Sequence, residues 1–291
     1  RSTPTSGMRT SGNCEALNVA ANALLRYGIV AVACFLIGAG IGLAAAPLLT
    51  VPASGESVDR DTLFQVSTID ALLQGTYDGS MTFDELARHG DLGIGCGDRL
   101  DGELAGVDGE WYLIRVDGQA YPVDGNVTTP FAAATFFDPD LTTTIDAPMN
   151  LTTLQNRVGS EFPSENLFYA IRVDGTFSHV VTRSVPAQEK PYPRLVDVTA
   201  NQTVFTFENV TGTALGFWTP ALAEGVNVPG YHLHFITGDR ATGGHVLDMI
   251  LAGGTVQVDT TTNFTMALPS GGDFWTVDLS GDLSEDLEQV E

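Results

Sequence analysis

Lysine is nearly missing from these 291 residues: Lys190 is the only one among 13 Lys and Arg, which face 36 Asp and Glu for a net charge of −23. Such a surface repels nucleic acids and anionic lipid headgroups, which argues against DNA, RNA and membrane-surface binding. It also repels itself, and this points to a high-salt habitat where ions screen the carboxylates. Cysteine is scarce too. Cys14, Cys34 and Cys96 form no CxxC pair, so neither a disulfide framework nor a cysteine-zinc module is written here. Cys96, in GIGCGD, reads as a small half-buried residue, because no partner base for a nucleophile stands nearby in sequence. Apolar residues, by contrast, are not in short supply: 43% hydrophobic content suffices to bury a core and excludes wholesale disorder.

Charge is absent altogether from Tyr27 to Leu49. At about 1.5 Å per residue this run is long enough to cross a bilayer as a helix. Arg1, Arg9 and Arg26 precede it, and the positive-inside rule then leaves the remainder of the chain outside the cell. The run either stays as an anchor or is cleaved as a signal peptide beside Ala44, Ala45 and Ala46. Gly38, Gly40 and Gly42 make it a poor helix for a soluble core. Acceptor triplets starting at Asn126, Asn150, Asn201, Asn209 and Asn263 are consistent with glycosylation of an external protein.

Pro52 to Asp59 reads as a linker, and Asp61 to Leu73 alternates before merging into a short helical stretch. Thr82 to His89 reads as a helix capped by Thr82, with Glu85 three residues on. From Gly93 the punctuation is that of sheet. Asp108-Gly109, Asp117-Gly118 and Asp174-Gly175 are hairpin signals beside apolar runs such as WYLIRV and LFYAIRV. Leu151 to Val158 reads as a helix, and QEKPYPR (Gln188 to Arg194) as a joint between two sheet-rich halves. Strands then occupy Val204–Glu208, Gly212–Trp218, Tyr231–Ile236, His245–Leu251, Thr255–Val258 and Phe264–Leu268.

Three of the five histidines fall in GYHLHFITGDRATGGHVLD. On a strand, His232 and His234 point to the same face. A turn at Thr237 to Gly244 brings His245 onto the neighbouring strand of that face. Three imidazoles with an open fourth position form a catalytic pattern for zinc or a similar ion, not a closed structural site. His89 and His179 lack such partners and read as surface or turn residues. HxH spacing also suits cupin-type oxygenases, but the only acid between His234 and His245 is Asp239, inside the turn.

The hairpin GYHLHFITGDRATGGHVLD resembles the metal-binding hairpin of the acetolactate decarboxylases, and further strings agree in the same order. They are TLFQVSTIDALLQGTYDG from Thr62, GDLGIGCGDRLDGEL from Gly90, NLFYAIRVDG from Asn166, TRSVPAQEKPY from Thr182 and TGTALGFWTPALAEGVNVPGYHLHF from Thr211. The resemblance runs from about Thr62 to Glu291. It implies that His232, His234 and His245 bind Zn(II), and that Glu103, Arg183 and a glutamate of DLEQVE complete the site. Of Glu288 and Glu291, the pattern favours Glu291. The reaction implied is loss of carbon dioxide from (S)-2-acetolactate to give (R)-acetoin. The residue types suit it: a metal ion polarises the ketone, arginine clamps the substrate, and either Glu103 or Arg183 handles the proton.

The fold class expected is mixed α/β (α+β), two sheet-rich domains with few helices, preceded by the hydrophobic segment. Residues 1–60 form the signal or anchor plus linker, 61–187 a mixed α/β domain presenting Glu103, 188–281 a β-rich metal-binding domain, and 282–291 an acidic tail folding back to the site. The partner expected is the small molecule acetolactate, with no nucleic acid, room for a homodimer, and membrane contact only through residues 27–49. Two other readings stand beside this one, a cupin-like metal oxygenase or lyase and a non-catalytic acidic surface module.

Overall fold

Turn chemistry and strand periodicity account for much of the architecture of the computed structural model, which describes residues 59–291. The charge-free run Tyr27–Leu49 lies outside these residues, and among them no helix is long and apolar enough to cross a membrane. Fifteen strands succeed one another in the chain. They are β1 (Thr62–Val66), β2 (Met81–Thr82), β3 (Leu92–Cys96), β4 (Glu103–Val107), β5 (Glu110–Ile114), β6 (Ala120–Pro122), β7 (Thr128–Thr129) and β8 (Ala132–Thr135). Then come β9 (Leu141–Ile145), β10 (Met149–Asn150), β11 (Phe168–Ser184), β12 (Thr203–Thr219), β13 (Gly230–Thr237), β14 (Gly243–Thr261) and β15 (Asn263–Ala267).

The helices are short: α1 (Ile69–Leu73), α2 (Phe83–Leu86), α3 (Leu151–Gly159), α4 (Leu195–Thr199) and α5 (Ser284–Val290). The starts of α1, α2 and α3 are set by side chains that accept otherwise unpaired backbone N–H groups. Thr68 accepts from Ala71, Thr82 from Glu85 and Asn150 from Thr153. The helix expected over Thr82–His89 is thus capped as read, although it closes at Leu86. In α3, Leu154 and Val158 lie four apart on one face and are both buried.

Seven strands form one sheet in the order β15-β1-β8-β3-β4-β5-β6. The hairpin signals at Asp108-Gly109 and Asp117-Gly118 make its β4–β5 and β5–β6 turns, with Asp108, Gly109 and Gly118 at positive φ. The second sheet runs β10-β14-β11-β12-β13, and β13 pairs with β14 as well, so the strands β11 to β14 return on themselves. Its core includes Phe177 and Phe235, edge-to-face at 5.2 Å and both fully buried. Each such ring contributes about 2–3 kcal/mol by leaving water.

Three expectations need correction. Asp174-Gly175 is not a hairpin but the middle of the 17-residue β11. The Asp174 carboxylate is taken up by Arg172 Nε at 2.6 Å and Thr213 Oγ1 at 2.7 Å. Gly175 is required because a Cβ there would stand 2.5 Å from the Gly253 carbonyl oxygen on β14. Secondly, the strand pairs expected over 204–218 and 245–258 are two continuous strands, β12 and β14. Their internal Asn and Gly residues sit within long strands, with Asn209 at φ 50° and a register shift of β14 against β11 beside Gly253. Thirdly, the described residues form one compact unit rather than consecutive domains divided at 187/188. That boundary would separate β11 from its partner β12, and β15 returns to pair in parallel with β1. His179 is a surface residue as read, on β11, with its Nδ1 2.8 Å from Glu208.

Candidate metal centre

Period-two alternation puts His232 and His234 on one face of β13, and His245 of β14 stands directly opposite His234. Arg183 of β11 is the next residue across in the same row, opposite His245. Close approach of the strands is needed here. Gly216 on β12 supplies it, because a Cβ at that position would overlap the His232 carbonyl oxygen.

All three imidazoles are buried, His234 completely. One ligand nitrogen from each lies within 4.8 Å of the other two, and His232 Nε2 is 3.2 Å from His245 Nδ1. His234 Nδ1 lies 2.6 Å from the Leu104 carbonyl of β4, which can only accept, so the proton sits on Nδ1. That leaves the Nε2 lone pair buried without a hydrogen-bond partner. Burial depresses all three histidines, His234 to about 3, and the nearby Arg183 guanidinium lowers each further. They are therefore neutral, the form that binds a metal ion. The donor set fits a cation with room for a further ligand.

The carboxyls arrive from two other directions. Glu103 opens β4, pairs with Cys96 and Ile114, and places Oε2 3.5 Å from His234 Nε2. Burial raises its pKa to about 7, against the pull of Arg183. Glu291 stands just beyond α5, its side chain 22% exposed, with Oε2 3.7 Å from His245 Nε2. Burial raises it to about 8, Arg183 opposing and Glu103 adding to the rise. Glu288 is exposed on α5, so the structure brings Glu291 and not Glu288 to the cavity. Arg183 Nη1 donates to Gln202 at 3.3 Å, while its buried Nε has no partner. Asp239, the one acid of the β13–β14 turn, accepts from Thr237 and stays out of the centre.

Apolar side chains close the cavity: Ile69, Leu72, Leu100, Phe131, Val185 and Leu195, together with Cys96. Cys96 is fully buried rather than half-buried, and desolvation holds its thiol well above the ordinary value. The wall residues and Gln202 escaped the sequence reading, since in sequence they are ordinary apolar or polar positions. The Leu104 carbonyl carries no side-chain signal at all.

A buried nest of neutral imidazoles opening on a small cavity, with an arginine and two carboxyls around it, places the chain among metal-dependent enzymes acting on small molecules. Comparison with known proteins makes this specific. The family model described as alpha-acetolactate decarboxylase matches residues 63–281. The alpha-acetolactate decarboxylase of Methanosarcina mazei is 54% identical over 231 residues, 79% of this chain and 80% of that protein. That of Bacillus licheniformis is 48% identical over 239 residues, 81% of this chain and 94% of its own length. The crystal structure of acetolactate decarboxylase from Bacillus subtilis subspecies spizizenii superimposes with a TM-score of 0.78 at 47% identity, covering 79% of this chain and all of that one. The chain belongs to the alpha-acetolactate decarboxylase family.

Proposed function

We propose that the protein converts (S)-2-acetolactate to (R)-acetoin and carbon dioxide, with Zn(II) held by His232, His234 and His245. One observation beyond the family carries the reading. The same cavity holds a buried lone pair without a donor, His234 Nε2, and its wall includes an arginine whose buried Nε lacks an acceptor. A cation satisfies the first and a carboxylate the second, and a carboxylate substrate beside a metal ion does both.

When bound, Zn(II) supplies a Lewis acid that stabilises negative charge gathering on the ketone oxygen as carbon dioxide departs. Arg183 orients the substrate through planar, permanently charged donors. The apolar wall excludes water, which favours conversion of a carboxylate into neutral carbon dioxide. Burial favours the protonated form of Glu103, and in this reading it supplies the proton that replaces carbon dioxide. Glu291 lies beside a different histidine from Glu103, so replacing each carboxyl in turn tests which of the two delivers the proton. The deciding experiment incubates the protein with racemic acetolactate, with and without chelator, and resolves the acetoin on a chiral column. Acetoin that forms equally fast in chelator refutes the metal role, and no acetoin in any metal refutes the reaction.

The chain's acidity and its charge-free segment support two subsidiary proposals, export from the cell and work in concentrated salt. The Debye length falls from about 30 Å at 0.01 M to about 3 Å at 1 M. With a net charge of −23, the thermal midpoint should rise across that range, and a flat profile refutes the salt proposal.

A further inference from the structure

QEKPYPR reads in sequence as a joint, yet two of its cations grip the segment that carries Glu291. Lys190 Nζ lies 2.5 Å from Asp78 and 2.9 Å from Asp273, and stands 5.3 Å from the Tyr192 ring centre. Tyr192 in turn donates to the same Asp78 at 2.7 Å. Asp273 belongs to the turn Gly272–Trp275, in the stretch between β15 and α5. Four residues beyond Lys190, Arg194 pairs with Asp286 in the first turn of α5. The Arg194 side chain is 44% exposed and that of Asp286 20%.

Helix α5 is only seven residues long and buries just Leu287 and Val290, against the cluster that includes Leu195 and Val198 of α4. Two apolar anchors on one face hold such a helix down but leave it free to roll and slide. Asp286 stands five residues before Glu291, about 7.5 Å along the axis, so a fixed point there sets the rotation and height of the helix end and of Glu291. A displacement of the order of 1 Å at a catalytic carboxyl lowers turnover substantially.

We propose that Arg194 and Lys190 are positioning residues: the Arg194–Asp286 pair fixes α5 in rotation, Lys190 tethers the preceding stretch through Asp273, and together they hold the Glu291 carboxyl at His245. The inference rests on the reading of Glu291 as a working member of the site. It assigns two of the chain's 13 cations, outnumbered by 36 acids, to the arm that completes the cavity.

The test is a charge reversal measured in two backgrounds at one fixed salt concentration. Arg194→Asp should lower kcat about ten-fold, since it replaces a partly exposed attraction by a repulsion, with KM for acetolactate and zinc content held. The double variant Arg194→Asp/Asp286→Arg should recover kcat to within about two-fold, which loss of folding could not explain. In a Glu291→Gln background, Arg194→Asp should cause no further loss. Failure of the double reversal to recover, or an undiminished loss in the Glu291→Gln background, overturns the positioning role. A Glu291→Gln enzyme that is slow beside an Arg194→Asp enzyme that is fast overturns it too, and leaves Glu291 in place. Full turnover in Glu291→Gln is a separate result, which removes Glu291 from the mechanism and this inference with it.

Discussion

Asp259 offers a test of how this acidic chain handles a buried carboxylate. It lies on β14 with 2% of its surface exposed, and one carboxylate oxygen accepts from the Asp138 backbone at 3.1 Å. Burial first, then Asp140, Asp138 and Asp61, raise its pKa from 3.8 to about 7, while that hydrogen bond pulls the other way. The folded state therefore holds the proton more tightly than the unfolded chain. Its stabilising effect is present in full below about pH 4 and is lost as pH climbs to about 7. Fully expressed, the gap corresponds to ~4 kcal/mol, and solvent reaching the neighbouring acids reduces this to ~2 kcal/mol. Asp259→Asn keeps an acceptor for Asp138 and places donors among carboxylates. It should gain about 2 kcal/mol at pH 8 and under about 0.5 kcal/mol at pH 4 in urea unfolding. A difference that is the same at both pH values, or a less stable variant at pH 8, refutes the reasoning.

The site makes further demands. His232→Ala or His234→Ala should abolish zinc binding and nearly all activity, because two remaining ligands hold the ion poorly; normal zinc stoichiometry by metal analysis would contradict the assignment. Glu103→Gln and Arg183→Lys should retain zinc while turnover drops by about 10²- to 10⁴-fold, and near-wild-type rates in both would return these residues to a structural role. Gly216→Ala should push β13 outward at His232, weakening zinc affinity by about ten-fold or more at a stability cost of roughly 1–3 kcal/mol. A chelator-competition titration that shows unchanged affinity would count against it.

The parts legible in the sequence were those decided within a few residues. Spacing of two on a strand dictates a shared face, so His232 and His234 could be paired at sight, and one turn brought in His245. Thr82 could be read as a cap because its partner Glu85 is three residues away. Glu103, Arg183 and Glu291 are indicated only by resemblance to a family, since each joins the centre across a distance in sequence that no local pattern encodes. Glu103 comes from the other sheet and Glu291 from beyond α5.

Asp174-Gly175 shows why local signals can fail even where they are strong. The same dipeptide turns the chain at Asp108-Gly109, where both residues take positive φ, yet at 174–175 neither does. What decides between them is the neighbour. Gly253 and Gly254 come so close to Gly175 that no side chain fits, and Arg172 with Thr213 binds the aspartate that would otherwise cap a turn. Continuity of β11 through that point is what carries the chain on to Arg183, in register with His245. Had the dipeptide turned, the arginine would not share a row with the histidines. The glycine that looked like an end to a strand is thus the condition for its length, and that length sets the arginine beside the metal-binding imidazoles.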